Sequence, residues 1–482
     1  MKIVKIILVA IIWFTGVGLF HVLKDLPAGL AHKGEERGVP VDSIDFLFDL
    51  TYEDLNGEII YEQEIFDSIF KLIDDAKRYI LIDAFLFNSY LTGTEPAYRR
   101  LSSEMADKLI EKKRSLPDIK IDFLTDPINT VYGGARSEEI EGLKKIGVNV
   151  IVTDLKPLRD SNPFYSPFWR TFFRWFGNSE RGLLPHPFAR SGDKVTARSY
   201  LEMFNFKANH RKVFAADSGE EMAVIIASAN PHDGSSAHSN VAMAIKGGIW
   251  PDVFATEAAV ADLSDGKLSI GKPEAETRTE GNEERVKALF LTEKAIKEEL
   301  LRRINDAGQG DRIMIAQFYL ADRKIIKALI SAAKRNADVR VILDPNKDAF
   351  GYKKIGVPNQ PVAAELIKKS GGFLKVRWYD THKEQFHAKM TLIEKANGLS
   401  TVILGSANLT RRNLENYNLE ADIEVTAKTD TDLMREIKSY FEKIWNNDNG
   451  SYYTVGYDAY KDESGLKKAV YLIQEYTGLG SF

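Results

Sequence analysis

The chain has no cysteine, only 8 histidines and no excess of positive charge. Without cysteine no disulfide can form, and a metal site would need histidine and carboxylate ligands alone. The formal net charge is -4 over 482 residues, whereas a protein that binds duplex DNA usually carries a basic excess. This balance weighs against DNA binding, although a local basic groove is compatible with an acidic average. Because histidines are few, each one in a repeated pattern carries information.

One long hydrophobic run is present, at the N-terminus. Lys2 and Lys5 precede the uncharged residues 6–23, whose length of ~27 Å as a helix just crosses a hydrocarbon core. We predict a single-pass membrane anchor within residues 1–31. The lysines favour a cytoplasmic N-terminus and an extracytoplasmic catalytic domain. The alternative is a signal peptide cleaved near residues 29–31, which would make the protein secreted.

The remaining chain repeats one order of elements twice. In each half, amphipathic helices alternate with β-rich runs, and one run per half ends in Asp-Pro. This alternation predicts an α/β fold of two similar lobes, each a mixed sheet flanked by helices. The predicted segments are a first lobe at 45–263 with an aromatic insertion at 158–200, a linker at 264–284, a second lobe at 285–446 and a C-terminal tail at 447–482.

Each half also ends on the same polar residues. A His-x-Lys triplet is followed after four residues by a carboxylate, and then by a strand that ends in Ser-Ala-Asn. In the first half these residues are His210, Lys212, Asp217, Ser228 and Asn230. In the second half they are His387, Lys389, Glu394, Ser406 and Asn408.

These residue types suit a phosphate diester. Alternate side chains of a strand share a face, so the histidine and lysine of each triplet point the same way. Imidazole titrates near neutral pH and can attack phosphorus or carry a proton. Lysine, serine and asparagine stabilise the oxygens on which negative charge develops. We therefore predict a phosphodiesterase site that needs neither a metal ion nor a cofactor.

Other interpretations of the motifs fit less well. A single His-x-Lys triplet would be typical of a solvent-exposed strand, but its recurrence with the same downstream residues indicates a site. Lysine is a poor zinc ligand, and cysteine is absent. Neither Ser228 nor Ser406 lies in the Gly-x-Ser-x-Gly setting of a serine nucleophile.

The arrangement resembles the phospholipase D superfamily, whose motif is His-x-Lys, four residues, Asp, and then Gly-Ser-x-Asn. The resemblance extends from about Tyr61 to Trp445 and includes the segment IAQFYLADRKIIKALISAAKRNADVRVIL. It implies that the two motifs form one active site at the interface between the lobes. One histidine would then be the nucleophile, and the other would protonate the leaving group.

The chain departs from the family pattern in three places. Glu394 replaces the second Asp, and Ala227 replaces the first Gly. Family members commonly place a Glu behind each histidine; here the second lobe has Glu420, and Asn240 occupies the corresponding position of the first lobe. A carboxylate favours the protonated imidazole of a general acid. We therefore predict that Glu420 holds His387 as the acid and that His210 is the nucleophile.

An aromatic segment, NPFYSPFWRTFFRWFG, spans residues 162–177 upstream of the first motif. On a helix Trp169, Phe172 and Phe176 share a broad face, with arginines opposite. Such a helix suits the headgroup boundary of a bilayer, so we predict that these residues contact the membrane or the substrate. The alternative is that they cover the active-site cleft or pack as core.

The anchor and the aromatic segment favour a lipid substrate. The sequence thus predicts a membrane-associated, monomeric phosphodiesterase or phosphatidyltransferase of phospholipase D or cardiolipin synthase type, with no nucleic acid as partner. Two alternatives remain open: an extracytoplasmic nuclease with the same site, and an inactive scaffolding relative. The intact histidine and lysine of both half-sites count against the inactive relative.

Overall fold

Each half of the chain builds one β-sheet, and the two sheets have the same strand order. The structure is a computed structural model that describes residues 1–91, 99–189, 193–273, 285–349 and 352–480. The α-helices are α1 (Lys2–Leu23), α2 (Ile65–Asp75), α3 (Leu101–Ser115), α4 (Glu138–Lys145), α5 (Ser166–Phe172), α6 (Ala197–Met203), α7 (Trp250–Leu263), α8 (Lys294–Asn305), α9 (Arg323–Lys334), α10 (Asn359–Ser370), α11 (Arg411–Leu414), α12 (Asp432–Asn446) and α13 (Gly465–Thr477).

The strands of the first half and of the segment before it are β1 (Arg37–Pro40), β2 (Ile44–Glu53), β3 (Ile59–Glu62), β4 (Tyr79–Ala84), β5 (Lys120–Thr125), β6 (Asn149–Val152), β7 (Lys212–Ser218), β8 (Glu221–Ala227) and β9 (Asn240–Lys246). Those of the second half are β10 (Arg285–Thr292), β11 (Arg312–Gln317), β12 (Asp338–Leu343), β13 (Asp348–Ala349), β14 (Tyr352–Lys353), β15 (Leu374–Tyr379), β16 (Lys389–Glu394), β17 (Leu399–Gly405), β18 (Ala421–Lys428) and β19 (Thr454–Gly456).

The duplication is exact at the level of strand pairing. The first sheet runs β3-β2-β9-β8-β7-β4-β5-β6, and the second runs β1-β10-β18-β17-β16-β11-β12-β15-β19. Apart from the edge strands β3, β1 and β19, the two orders correspond strand for strand, with parallel pairing only at β4-β5-β6 and β11-β12-β15. The predicted α/β fold of two similar lobes is confirmed.

Alternate side chains along a strand are buried in two different cores, one on each face of the sheet. In β7, Val213 and Ala215 belong to a core between the two sheets, while Phe214 and Ala216 face a core under the first-lobe helices. This period of two is expected for a strand covered on both sides. The helices α8, α9 and α10 cover the outer face of the second sheet in the same way. The sheets therefore pack face to face, with α7 and α12 contributing to the core between them and other helices covering the outer faces.

Both chain ends are built into this architecture. The segment 37–40, which precedes the first lobe, pairs with β10 of the second sheet, and β19 extends the other edge of that sheet. Tyr471 of α13 is fully buried among second-lobe residues. Of the predicted linker, residues 274–284 lie outside the described residues.

The N-terminal helix α1 lies against α5. Trp13 Nε1 donates a hydrogen bond to Thr171 Oγ1 at 3.0 Å, and the rings of Phe14 and Phe172 are 6.1 Å apart. Among the residues that the structure describes, α1 is the one helix long and apolar enough to span a membrane. Its side chains are largely exposed along the rest of its length.

Candidate active site

The two histidines face one cavity because each begins the same strand of its lobe. His210 precedes β7 and His387 precedes β16, two corresponding strands. Backbone hydrogen bonds tie each histidine to the opposite lobe: His210 N donates to Leu419 O at 2.9 Å, and His387 N donates to Ser239 O at 2.8 Å. The cavity between them has a volume of about 400 Å³. The two half-sites are thus brought together.

The hydrogen-bond acceptors behind the histidines are exchanged between the lobes. His210 Nδ1 lies 2.9 Å from Glu420 Oε2, and His387 Nδ1 lies 3.2 Å from Asn240 Oδ1. The prediction that Glu420 holds His387 is therefore wrong. The predicted equivalence of Asn240 and Glu420 is confirmed by the strand register. Each lies two residues before the residue that pairs with the last residue of β8 or of β17. Each acceptor follows the Ser-Ala-Asn strand of its own lobe and then reaches across the interface.

The motif serines hold these acceptors. Ser406 Oγ donates to Glu420 Oε2 at 2.5 Å, and Ser228 Oγ donates to Asn240 Oδ1 at 3.1 Å. Both hydroxyls are fully buried and also accept a backbone N–H from the following strand. The prediction that the serines bind phosphate oxygens is corrected: they fix the acceptors that orient the histidines.

The motif asparagines line the cavity as predicted. Asn230 and Asn408 are both buried and both lie on its wall beside the histidines. Asn408 Oδ1 has no hydrogen-bond partner within the described part of the chain. A buried polar atom without a partner carries a cost of about 1–3 kcal/mol, which a bound ligand can relieve.

The motif lysines lie directly behind the histidines. Lys212 Nζ donates to His210 O at 2.6 Å, and Lys389 Nζ donates to His387 O at 2.8 Å. Both ammonium groups are buried, so their field acts through a medium that screens it weakly. They lie beneath the wall that the two histidines form, without lining the cavity themselves.

Two phenylalanines complete the repeat and were not predicted. Phe85 follows β4 and Phe318 follows β11 at corresponding positions, and their rings lie 4.7 Å from His210 and 5.1 Å from His387. Each ring also lies under the lysine of its own lobe, at 5.0 Å from Lys212 and 5.3 Å in the second lobe. In the sequence, the recurrence of Phe directly after β4 and directly after β11 was the signal that could have revealed these two residues.

Two aspartates also escaped prediction, although the repeated Asp-Pro marks them. Asp126 Oδ2 accepts the N–H of Asn209 at 2.7 Å, and Asp344 Oδ2 accepts the N–H of Phe386 at 2.9 Å. These are the residues directly before the two histidines. Each aspartate therefore fixes the backbone from which the imidazole of a motif histidine projects.

The residue between His210 and Lys212 links the lobes below the site. The fully buried guanidinium of Arg211 lies 3.1 Å from Glu257 and 2.7 Å from Glu293. Glu293 Oε1 in turn accepts the N–H of Glu420 at 3.1 Å. Arg211 therefore connects the first motif to the backbone of the acceptor that holds its histidine.

The third motif residues do not reach the cavity. Asp217 accepts the backbone N–H groups of residues 77–79 at 2.8–3.2 Å, and Glu394 pairs with Arg312 at 3.3 Å and Lys438 at 3.2 Å. Each carboxylate lies five positions along the strand from its motif lysine, a rise of roughly 16 Å. The prediction that these two act catalytically is corrected: they stabilise the far ends of their strands.

The aromatic insertion divides into two parts. Trp169 is only 2% exposed, and Arg170 is buried against Asp160 at 2.7 Å, whereas Phe172 and Phe176 are 48% and 65% exposed. The helix α5 ends at Phe172, so the predicted single aromatic face does not form. Trp169 is a core residue, which corrects its predicted contact with membrane or substrate.

A later part of the insertion, not the predicted aromatics, reaches the catalytic cavity. Pro187 and Phe188 of the insertion line its wall, together with Met203 and Phe206, which follow the insertion. These side chains are apolar and line the same cavity as the two histidines. The cavity thus combines a charged centre with an apolar wall.

Burial and like charge shift the proton equilibria of the site. Burial, and then the ammonium of the lysine two residues on, lowers the pKa of His210 and of His387 well below its usual range. Burial lowers the pKa of Lys212 to about 7 and raises that of Glu420 to about 8. A phosphate diester between the lysines would favour their charged forms, because opposite charge offsets the loss of hydration.

No set of three His, Asp or Glu side chains within the described ranges is arranged to hold a metal ion. The lysines and histidines of the site instead provide an anion-binding arrangement.

Three comparisons with known proteins bear on this geometry. The family model described as "Cardiolipin synthase, PLD-like domain" matches residues 300–445. No curated protein matches the chain significantly in sequence. The phosphatidylserine synthase structure from Haemophilus influenzae Rd KW20 is 12% identical, covers 96% of this chain and 98% of its own, and superposes with a TM-score of 0.56.

A phospholipase D family member, Nuc from Salmonella typhimurium, is 21% identical over 33% of this chain and 95% of its own, with a TM-score of 0.26. Of these two structures, the phosphatidylserine synthase is the one whose fold is similar over almost the full length of this chain. The predicted resemblance to the phospholipase D superfamily is confirmed: the second lobe matches a phospholipase D-like domain in sequence, and the whole chain has the corresponding two-lobed fold.

Proposed function

We propose that the protein is a membrane-anchored phosphodiesterase that cleaves or transfers phosphatidyl groups through a phosphohistidine intermediate. The observation that carries the proposal is the pair of imidazoles, each held at Nδ1 by an acceptor from the opposite lobe. This hydrogen bond leaves Nε2 of both rings available for chemistry. Two buried lysines behind them supply the charge that a pentacoordinate phosphorus requires.

His210 is the proposed nucleophile, for a different reason from the one the sequence suggested. Attack by Nε2 makes the ring positive, and that charge favours the ionised form of Glu420 at Nδ1, which then stabilises the ring as a carboxylate does behind a catalytic histidine. His387 is the proposed acid. Its partner, Asn240, is neutral, so the imidazolium gives up its proton more readily than one held by a carboxylate.

The reaction then balances in two steps. The Nε2 lone pair of His210 forms a bond to phosphorus, the bond to the leaving oxygen breaks, and His387 Nε2 gives that oxygen its proton. In the second step water or a lipid hydroxyl transfers a proton to His387 and attacks phosphorus, and the P–N bond breaks. Water yields hydrolysis, and a lipid hydroxyl yields transfer.

A lipid substrate is supported by the cavity and by the N-terminus. The apolar wall made by Pro187, Phe188, Met203 and Phe206 suits the glycerol and first acyl carbons of a phospholipid. The fully buried Leu30 presents its carbonyl to Thr292 Oγ1 at 2.7 Å, so cleavage near residues 29–31 would remove part of the fold. We therefore propose that α1 stays attached as a single-pass anchor on a monomer, with the catalytic lobes outside the cytoplasm.

Incubation of the full chain with phosphatidylglycerol tests the proposal. Mass spectrometry should find phosphatidic acid if water is the acceptor, or cardiolipin if a second lipid is. The His210→Ala variant should yield neither product. Cleavage of single-stranded DNA with phosphatidylglycerol left intact would favour the nuclease alternative instead.

A further inference from the structure

Cationic side chains converge where α1 leaves the apolar segment, away from the catalytic cavity. They line a second cavity of about 470 Å³ between the end of α1, the loop after β6 and the end of α5. Its walls include Lys24, Lys156, Arg170, Arg174 and Trp175. This cavity, called the junction pocket below, shares no lining residue with the catalytic cavity.

The junction pocket is short of negative charge. Asp160 is shared by Arg170 at 2.7 Å and by Lys207 at 2.6 Å. Asp154 lies 3.9 Å from Lys156. The cations of this region are Lys24, Lys156, Arg170, Arg174 and Lys207. Among the side chains that the structure describes, Asp154 and Asp160 are the two carboxylates within ion-pair distance of these five cations. An excess of three positive charges remains.

The cations are held in place by neutral contacts. Lys24 Nζ donates to Pro157 O, and the buried Arg170 Nη2 donates to Lys156 O at 3.0 Å. The Arg174 guanidinium lies 4.0 Å over the ring of Trp175, which is 68% exposed. Burial, together with the Arg170 guanidinium, lowers the pKa of Lys24 to about 8. An anion bound in the pocket would offset the repulsion between the Lys24 ammonium and the Arg170 guanidinium.

The position of the pocket indicates the source of the anion. The last turn of α1 forms one wall, and α1 is the candidate membrane span. The exposed rings of Phe172, Trp175 and Phe176 lie on the adjoining surface, where aromatic residues favour the bilayer interface. A helix that ends at Leu23 brings the following lysine to the depth of phospholipid headgroups, where basic residues bind anionic lipid.

We propose that the junction pocket binds the headgroup phosphate of an anionic phospholipid. The lipid is bound without being cleaved, because the pocket contains no paired nucleophile and acid. The bound headgroup would fix α1 and α5 relative to the bilayer surface and so set the orientation of the lobes. The proposal goes beyond the proposed reaction and does not depend on which substrate the catalytic cavity accepts.

Native mass spectrometry of the full chain tests this site. The protein, in a non-ionic detergent, is given equal amounts of phosphatidylglycerol and phosphatidylcholine with the same acyl chains. The wild type should retain one more phosphatidylglycerol than the double variant Lys156→Gln/Arg174→Gln, whose occupancy should fall by about tenfold or more. The control variant Arg114→Gln/Lys145→Gln removes the same charge from exposed residues elsewhere and should behave as wild type. Unchanged thermal unfolding establishes that both variants fold.

Each other outcome overturns the proposal. An undiminished phosphatidylglycerol adduct in Lys156→Gln/Arg174→Gln would place the bound lipid elsewhere. An equal loss in both double variants would show general charge attraction without a specific pocket. Full displacement of the lipid by millimolar inorganic phosphate would identify a free-phosphate site. Because retained lipid is counted without turnover, failure of the proposed catalytic function does not affect the result.

Discussion

Glu420 of the second lobe lies 2.9 Å from Nδ1 of His210 in the first, so the active site is completed by residues exchanged across the interface. The reciprocal pair, His387 and Asn240, has a neutral acceptor at the same position. The two half-sites are therefore alike in geometry, but only the acceptor of His210 can carry a negative charge. That difference is the basis of the roles proposed for the two histidines.

Removal of each histidine should affect leaving groups differently. Without His210 the covalent route is lost, so turnover should fall by several orders of magnitude for every substrate. Without His387 a p-nitrophenyl diester should keep part of its rate, because p-nitrophenolate leaves without a proton, whereas an alkyl diester should lose about 10²–10⁴-fold. The rates of leaving-group release in the first turnover of His210→Ala and His387→Ala, before attack by water becomes limiting, provide the measurement on both substrates. Rescue of His210→Ala instead would reverse the assignment.

The charge of the acceptor behind the acid should set its pKa. The Asn240→Asp substitution places a carboxylate beside His387 and should raise the pKa of its imidazolium. Because the pKa of His387 lies well below its usual range, a higher pKa keeps a larger fraction of the acid protonated at neutral pH, so the alkaline limb of the pH–rate profile should move upward. An unchanged profile would mean that His387 does not titrate in the reaction.

The raised pKa of Glu420 predicts a pH-dependent stability. Burial raises this pKa from its usual value near 4.5 to about 8, so between these values the folded protein keeps a proton that the unfolded chain has lost. The contribution of this proton to the free energy of unfolding is fully present below about pH 4.5 and is lost as the pH rises through about 8. The Tm of Glu420→Gln, relative to wild type, should therefore increase between pH 5 and pH 8. A difference that stays constant or decreases over this range would contradict the raised pKa.

Catalysis should not depend on divalent cations. Lys212 and Lys389 lie directly behind the two histidines and can supply the positive charge that a metal ion supplies in other phosphodiesterases, so activity on a short soluble diester should survive excess EDTA. A soluble substrate is the appropriate choice because cations also alter anionic bilayers. Loss of activity on chelation, with recovery on adding Mg²⁺ or Zn²⁺, would refute the proposed role of the lysines.

The exposed aromatic residues beside α1 should affect activity on phospholipid in vesicles but not activity on a soluble substrate. Replacing Phe172 and Phe176 with serine removes apolar area worth about 1 kcal/mol each at an interface, so turnover of phospholipid in vesicles should fall several-fold. Cleavage of a short soluble diester should persist, since neither ring lines the catalytic cavity. Parallel loss of both activities with a lowered Tm would identify the rings as part of the core.

The sequence predicted the parts of the site that repeat. The strand–helix order, the paired histidines and lysines, and the equivalence of Asn240 with Glu420 all follow from internal comparison of the two halves. Comparison within one chain does not reveal which lobe a residue contacts after folding. That is why Glu420 was assigned to the wrong histidine, and why Phe85 and Phe318, which repeat without a polar motif, were missed.

The errors in the insertion have a different cause. The predicted aromatic face requires one continuous helix over residues 168–176, but α5 ends at Phe172 and the chain then turns. Arg170 was predicted on the face opposite the aromatics, yet Asp160 and two backbone carbonyls satisfy it in the interior. The partners of a buried ion pair become visible only after the chain has folded.

The most direct test of the paired site is to trap its intermediate. The His387→Ala variant, mixed with a p-nitrophenyl phosphodiester, should release a burst of p-nitrophenolate close to one equivalent per enzyme, because loss of His387 also slows attack by water. Peptide mass spectrometry at neutral or alkaline pH should then find the phosphoryl adduct on His210. A burst with the adduct on another residue, or steady turnover with no adduct on His210, would contradict the account.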